Sequence, residues 1–225
     1  GSRSTPLTQA VALNPKARKY IFIDERSSAF FALGLAKATG RPAVVITTSG
    51  TAISNGFPAL IEASESGIPI VFISSDRPSE LRNSGSNQTI DQVKLFSDKV
   101  RYFVDIPPSK KYPNSVRSNI CEAIYHSYKS DNKGPVHINI MFREPFSEPS
   151  KTVQHLRPFI KWESSSRGFS SEQTNFIAAH LNKAKSPLLI IGNIEDPDER
   201  ESALIIANDL CWPTFCDVSS GISLF

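Results

Sequence analysis

Several common signatures of function are missing from this sequence of 225 residues. Its three cysteines, Cys121, Cys211 and Cys216, include no CxxC pair, which argues against a disulfide framework or a zinc site. No apolar run reaches the roughly 18 residues of a membrane span, and residues 1–10 lack the apolar segment of a secretory signal. These absences predict a soluble protein of a reducing compartment with no membrane span.

Nucleic-acid and nucleotide-binding signatures are missing as well. The net charge is only +3, and no lysine- and arginine-dense run with interleaved aromatic residues occurs, so we expect no nucleic-acid partner. The sequence contains neither a GxGxxG fingerprint nor the GK[ST] end of a P-loop. The four histidines have no metal-ligand spacing and are interpreted as structural: His126, His137, His155 and His180.

What the sequence does contain is a series of short apolar or β-branched runs separated by helix-like segments. The runs are 19–23, 43–47, 68–74, 100–106 and 135–140. The helix-like segments are 25–38, 51–65 and 114–129, with a further short helix over 5–13. Continuous apolar runs are typical of strands covered on both faces. Their alternation with helices predicts an α/β fold, a parallel sheet with helices on both faces.

We predict two domains. The first spans residues 1–147, and the Pro-, Ser- and Lys-rich stretch 148–167 is predicted to be a linker. Residues 168–225 begin a second α/β domain, in which a Ser-x-Glu-Gln signal starts a helix and two strands flank another helix. Because two strands do not make a stable sheet alone, we expect the chain to end inside this domain.

Unusual polar residues follow three of the predicted strands. Ligands bind outside the carboxyl ends of the strands in an open parallel sheet, so these residues form a candidate site. They are Asp24 and Glu25 after the first run, Ser49, Gly50 and Thr51 after the second, and Asp76, Arg77 and Arg82 after the third.

Each of these motifs also has a structural interpretation. Asp24 is a candidate helix N-cap, and Glu25 would favour the positive end of the same helix. The small residues of "TSGT" form a turn or an anion nest. Arg77 is a candidate for a structural ion pair, and "GSNQTIDQ" (85–92) for a polar loop. Residue patterns alone leave these alternatives open.

Four stretches taken together resemble one family. They are "GSRSTPL", "DERSSAFFALGLAKATGRPAVVITTSGTAISNGFPALIEA", "SDRPSELRNSGSNQTIDQVKLF" and "GPVHINIMFREP". They are similar to the amino-terminal part of the 2-succinyl-5-enolpyruvyl-6-hydroxy-3-cyclohexene-1-carboxylate synthases, thiamine-diphosphate enzymes of menaquinone and phylloquinone synthesis. The resemblance covers most of residues 1–146, and it implies the pyrimidine-binding domain of that enzyme superfamily.

The resemblance implies a transferase that decarboxylates 2-oxoglutarate and adds the succinyl carbanion equivalent to isochorismate. Glu25 matches the family's glutamate, which hydrogen-bonds the aminopyrimidine of thiamine diphosphate and serves in catalysis. Ser49, Gly50 and Thr51 lie in the loop expected to approach the same ring. Asp24 and Arg26 are expected to act as a cap and in a local ion pair.

The same resemblance implies how the anionic substrates bind. Isochorismate binding falls on Ser2 and Arg3 of the first loop, on Arg77, and on Gln88 with Asn87 beside it. Arginine suits this role because its planar guanidinium pairs with carboxylates in a bidentate way.

Part of the family pattern is missing from these residues. The family has a helix and a strand before "GSRSTPL", and its Mg²⁺ and diphosphate ligands lie in a carboxy-terminal domain with a "GDG" motif, which does not occur here. The complete site of the family forms between subunits of a homo-oligomer that is at least a dimer. We therefore expect only the pyrimidine half of the site, no metal ligands, and no turnover by this chain alone.

Two other functions remain open from the sequence. One is a different thiamine-diphosphate carboligase or decarboxylase, which the arginines disfavour because a pyruvate-type site has fewer carboxylates to bind. The other is a non-catalytic binding or assembly module that has kept the fold. For the leading interpretation, the family implies the bacterial cytoplasm or the plastid stroma.

Overall fold

The computed structural model describes residues 1–108, 113–146, 160, 162, 168–194 and 196–223. The chain forms two compact units, Gly1–Ser164 and Ser165–Phe225. The predicted linker 148–167 lies almost entirely outside the described residues. The boundaries of the two predicted domains therefore stay predictions.

The first unit is built on a four-stranded parallel sheet in the order β1-β2-β4-β3. Its strands are β1 (Ala43–Thr47), β2 (Ile70–Asp76), β3 (Phe103–Ile106) and β4 (Val136–Met141). Its helices are α1 (Thr5–Leu13), α2 (Glu25–Thr39), α3 (Phe57–Glu65) and α4 (Pro113–Ile124), with a π-helical turn over Tyr125–Lys129. All four carboxyl ends of the strands therefore point to one edge.

The sheet is covered on both faces because successive residues of β2 point to opposite sides. Ile70 and Phe72 lie in one apolar cluster with α2 and α3, whereas Val71 lies in a second cluster with Ile138 and α4. This pattern explains why the strand sequences are continuously apolar. The predicted α/β fold, a parallel sheet flanked by helices, is confirmed.

Helix α2 begins and ends where local chemistry favours it. Asp24 caps its first turn, since its Oδ1 accepts from the Ser27 backbone N–H at 2.7 Å. Gly40 ends the helix in the left-handed conformation, with φ +61°. The predicted capping role of Asp24 is confirmed.

The predicted first strand, residues 19–23, is wrong. No strand forms there, and the segment is extended but pairs with no edge of the described sheet. Ile21 and Ile23 are almost fully exposed, and Tyr20 and Phe22, which are also exposed, lie against the ring of Phe31 on α2 at centroid distances of 4.8 and 5.0 Å. An apolar run becomes a strand only when a neighbouring backbone satisfies its polar groups, and the described chain provides no such neighbour.

The second unit contains a parallel pair of strands and two helices. They are α5 (Ser171–Leu181), β5 (Leu189–Ile191), α6 (Pro197–Leu210) and β6 (Thr214–Cys216). Ser170 and Gln173 form the capping box that the sequence predicted at the start of α5. No helix among the described residues is both long and apolar enough to cross a membrane.

Candidate functional site

The carboxyl ends of β1 and β2 are joined by hydrogen bonds around Ser49, which is fully buried. Arg77 Nη1 donates to Ser49 Oγ at 2.6 Å and to the carbonyl oxygen of Gln88 at 2.6 Å. In return, Gln88 Nε2 donates to the carbonyl oxygen of Ser49 at 3.0 Å. The structure therefore brings together three of the predicted site residues from three separate segments.

Gly50 follows Ser49 and needs to be glycine. Its φ is +82°, in the region where a side chain is strained. An added Cβ would lie 3.0 Å from Gln88 Cγ and 3.1 Å from the Gln88 carbonyl oxygen. The backbone N–H of Gly50 donates to Gln92 Oε1 at 2.8 Å, a buried bond. The turn is thus held both by conformation and by a side chain distant in sequence.

Arg77 makes no ion pair within the described residues, so the structural ion-pair interpretation of this arginine finds no support there. The arginine that pairs is Arg82, whose Nη2 lies 2.9 Å from Asp76 Oδ2 and 3.0 Å from Asp105 Oδ2. Burial acts to lower the pKa of Arg82, but the hydrogen bonds that it donates to Asp76 and Asp105, together with their charges, outweigh burial and raise the pKa. Arg77 instead donates to uncharged oxygens, and among the described residues the carboxylates of Glu144 and Asp76 act on it only through their charge.

Arg3 approaches the same region from the 3₁₀ turn Ser2–Ser4 and is buried. Its Nη1 donates to the Phe142 carbonyl oxygen at 2.7 Å, and its Nη2 pairs with Glu144 Oε1 at 2.9 Å. The Nε atom is buried and makes no hydrogen bond among the described residues. Desolvation and then the charge of Arg3 lower the pKa of Arg77, so the two guanidinium groups act on each other electrostatically.

Glu25 lies at the first position of α2 and is half buried. Its Oε2 accepts from Asn55 Nδ2 at 3.0 Å. Asn55 belongs to the segment that follows Ser49 and Gly50, so this bond ties the start of α2 to the end of β1. Among the described residues, no hydrogen bond joins Glu25 to the group around Arg77.

Of the two neighbours of Glu25, Asp24 caps the helix and Arg26 adds a nearby positive charge. Hydrogen bonds from Ser27 hold the pKa of Asp24 below its usual value, and the charge of Arg26 adds to the effect. Arg26 is exposed, and no ion pair of it is formed among the described residues. Among the described residues, Arg26 therefore acts on the pKa of Asp24 through its charge and does not form the expected ion pair.

Three predicted site residues are exposed and separate from these contacts: Ser2, Thr51 and Asn87. Thr51 and Asn87 contribute only carbonyl oxygens, which accept from Ser54 Oγ at 2.7 Å and Thr89 Oγ1 at 3.2 Å. Their assignment to cofactor or substrate binding stays a prediction.

Sequence reasoning missed a buried amide pair beneath the site. Gln92 and Asn139 are both fully buried, and Gln92 Nε2 donates to Asn139 Oδ1 at 2.8 Å. A usable signal existed, because His137 and Asn139 are polar residues two apart within the apolar run 135–140. Polar residues on one face of a buried strand indicate a polar network there. Glu144, the partner of Arg3, gave no such signal.

The described residues offer no metal site. No group of three or more His, Cys, Asp or Glu side chains lies together in the part of the chain that the structure describes. The donors near the candidate site are guanidinium, amide and hydroxyl groups, which suit anions rather than cations.

Comparisons with known proteins agree with this chemistry. Residues 1–95 match the family model "Thiamine pyrophosphate enzyme, N-terminal TPP binding domain". The whole chain is 44% identical to the 2-succinyl-5-enolpyruvyl-6-hydroxy-3-cyclohexene-1-carboxylate synthases of Chlorobium luteolum and Pelodictyon phaeoclathratiforme, and covers 41% and 40% of them. It is 38% identical to the synthase of Rubrobacter xylanophilus over 100% of the chain and 40% of that protein.

The chain thus spans about two-fifths of the length of the curated relatives it matches. The matches are made along its entire length and not only across residues 1–95. This chain is therefore homologous to part of the 2-succinyl-5-enolpyruvyl-6-hydroxy-3-cyclohexene-1-carboxylate synthases and begins with the N-terminal domain of thiamine pyrophosphate enzymes.

Proposed function

We propose that this chain is the amino-terminal part of a thiamine-diphosphate-dependent transferase that decarboxylates 2-oxoglutarate and adds the succinyl unit to isochorismate. The observation that carries the proposal is Arg77, a half-buried guanidinium that pairs with no carboxylate among the described residues and lies near enough to the buried Arg3 to feel its charge. Because Arg3 is already paired with Glu144, Arg77 is the guanidinium of the two that is left for an anionic ligand. The relatives' names give the product, a succinyl-bearing cyclohexene carboxylate, and the two substrates are those that the family resemblance implies.

Glu25 fits the pyrimidine ring of the cofactor. Its carboxylate is half buried at the start of α2, and one oxygen is held by Asn55 Nδ2 at 3.0 Å. A held, partly desolvated carboxylate is suited to accept a hydrogen bond from a ring nitrogen and to favour protonation there. When bound, the cofactor supplies the carbanion chemistry that decarboxylation of a 2-oxo acid requires.

The arginines would bind and orient the substrate carboxylates. Arg77 is fixed by Ser49 Oγ and the Gln88 carbonyl, which leaves other guanidinium N–H groups for a ligand. Arg3 adds a second guanidinium, and Ser2 and the amides of Asn87 and Gln88 would complete the set of donors. Ser49, Gly50 and Thr51 would line the pyrimidine side of the site.

The described residues do not fit Mg²⁺, since no group of three or more His, Cys, Asp or Glu side chains that could hold it lies among them, and the family resemblance assigns the diphosphate to the same absent ligands. We propose that another part of the complete enzyme supplies those ligands and that the site forms between subunits of at least a dimer. The enzyme would work in the bacterial cytoplasm or the plastid stroma, in menaquinone or phylloquinone biosynthesis.

The test uses the protein made from the complete reading frame, with thiamine diphosphate, Mg²⁺, 2-oxoglutarate and isochorismate. We expect CO₂ release and formation of the succinylated product, detected by mass spectrometry. Glu25→Gln should lower kcat by roughly 10²–10⁴, the range for loss of a proton-transfer group. Glu172→Gln, which removes a carboxylate from the first turn of α5 in the second unit, is the matched control.

Three outcomes would contradict the proposal. Faster turnover with pyruvate than with 2-oxoglutarate would assign the chain to another carboligase or decarboxylase. Absence of turnover with either donor would favour a non-catalytic binding or assembly module. An unchanged kcat in Glu25→Gln would return that residue to a role in helix capping.

A further inference from the structure

We propose that Gln92 is a positioning residue, which fixes the turn Ser49–Gly50 and through it the guanidinium of Arg77. Gln92 is fully buried, and its side chain hydrogen-bonds Gly50, Ser75 and Asn139, none of which is assigned to substrate binding. The effect on substrate binding rests on the proposed function, whereas the effect on the turn does not.

Gln92 links two parts of the molecule that are far apart in sequence. Its Oε1 accepts from the Gly50 backbone N–H at 2.8 Å. Its Nε2 donates to the Ser75 carbonyl oxygen at 3.2 Å and to Asn139 Oδ1 at 2.8 Å. The turn after β1 is therefore attached to the end of β2 and to the middle of β4 by one side chain.

Asn139 continues the chain of hydrogen bonds to charged groups. Its Nδ2 donates to Asp76 Oδ2 at 2.9 Å and to Asp105 Oδ1 at 2.8 Å. Both carboxylates are paired with Arg82, whose single positive charge offsets part of their negative charge. The relay, defined as Gly50 N–H, Gln92, Asn139 and these two carboxylates, thus spans all four strand ends.

The carboxylates fix the direction of the relay. An ionised carboxylate only accepts hydrogen bonds, so the NH₂ group of Asn139 must face Asp76 and Asp105. Its oxygen must then face Gln92, whose NH₂ group donates to it. The Gln92 oxygen then faces Gly50, whose backbone N–H donates to it. Neither amide can be rotated by half a turn without placing two donors or two acceptors together.

The turn matters because it holds Arg77. Ser49 Oγ is the acceptor for Arg77 Nη1 at 2.6 Å, and Ser49 is adjacent to Gly50. Without Gln92, the Gly50 N–H would be buried and unsatisfied, and the turn would move to find another partner. The acceptor of Arg77 would move with it, although Gln92 itself is fully buried.

The first readout is hydrogen exchange in the complete protein, resolved to the backbone amides of Gly50 and of Phe72 in β2. In Gln92→Leu we expect Gly50 to exchange at least about tenfold faster relative to Phe72, because one buried hydrogen bond is lost. Leu60→Ala is the control, since it leaves a cavity in the core without touching the relay. In that control, Gly50 and Phe72 should accelerate together.

The second readout is a double-mutant cycle on KM for isochorismate. Gln92→Leu should raise KM by about tenfold, and combining it with Arg77→Ala should add nothing beyond Arg77→Ala alone. If Gln92 only stabilised the fold, the folded fraction of Gln92→Leu would have the same KM for isochorismate as the wild-type protein. Gln92→Glu keeps an acceptor for Gly50 and should disturb its exchange less than Gln92→Leu does.

Two results would overturn the inference: KM effects of Gln92 and Arg77 that multiply, or Gly50 exchange that follows Phe72 in Gln92→Leu. If Gln92→Leu does not fold, hydrogen exchange in the wild-type protein provides the test. The relay requires the exchange rate of the Gly50 amide to lie within about tenfold of that of the Phe72 amide. If the wild-type protein lacks activity with isochorismate, the proposed function fails, and the exchange data still decide the relay.

Discussion

The fully buried His137 makes the stability of the first unit depend on pH. Its Nε2 lies 2.7 Å from Ser74 Oγ, and the Ser74 hydroxyl donates to Asn139 Oδ1 at 2.7 Å. Since that hydroxyl has one proton, Ser74 accepts from His137, which assigns the Nε2–H tautomer. The Nδ1 atom is buried and makes no hydrogen bond among the described residues, so a second proton there would have no acceptor.

Burial lowers the pKa of His137 to about 3, from an ordinary value of 6.5. The unfolded chain therefore binds a proton below pH 6.5, whereas the folded chain does not bind it until about pH 3. As the pH falls between these values, the free energy of unfolding decreases by about 1.4 kcal/mol per pH unit. Acidification from about pH 7 to about pH 4.5 should cost about 2.7 kcal/mol through this residue alone.

The assay is urea unfolding at both pH values, followed by the fluorescence of Trp162, whose ring stacks on Tyr125 at 4.1 Å. His137→Gln keeps an N–H donor for Ser74 but does not titrate. Other groups act equally in both proteins, so the difference between their acid-induced losses isolates His137. A difference below about 0.5 kcal/mol would refute the reasoning, since the expected value is several times larger.

Three further predictions concern the site and its supports. Gly50→Ala should lower the free energy of unfolding by about 1–3 kcal/mol, because the new Cβ is strained at φ +82° and meets Gln88 at 3.0 Å; an unchanged urea midpoint would contradict this. Glu144→Gln should lower KM for isochorismate roughly two- to fivefold in the complete enzyme, because the carboxylate that occupies Arg3 is removed; a higher KM would make Glu144 a support for Arg3. Asp24→Ala should lower the free energy of unfolding by about 1 kcal/mol through loss of the helix cap, measured by urea unfolding, and a loss below about 0.3 kcal/mol would contradict the cap's role.

Local sequence patterns were sufficient for most of the fold. Apolar runs identified β1 to β4, and the capping signals identified the starts of α2 and α5. The same reasoning failed for residues 19–23 because strand formation depends on a partner backbone, which is not a property of the run itself. The pattern of apolar residues indicates which side chains prefer to be buried, and it does not indicate which strands pair.

The site was predictable only where a motif marks it. Ser49, Arg77 and Gln88 come together as the motif positions implied, whereas Gln92 is 42 residues from Gly50 and 47 from Asn139. Contacts at that separation are set by strand register. Once Ser74 is paired with Asn139, and Asp105 with the same residue from the other side, the polar cluster follows from the alignment.

The strand order has a consequence for synthesis on the ribosome. The last strand of the four-stranded sheet to emerge, β4, lies between β2 and β3, so β3 has no neighbour in that sheet until Val136–Met141 has been translated. Until then, the nascent chain carries an open edge on β2 and an unpaired apolar β3, features that invite association with other chains. Insertion of β4 closes the sheet and delivers Asn139 to its carboxylates in one event. We therefore expect translation that stalls before Val136 to yield aggregation-prone chains, and stalling after Met141 to yield a closed sheet.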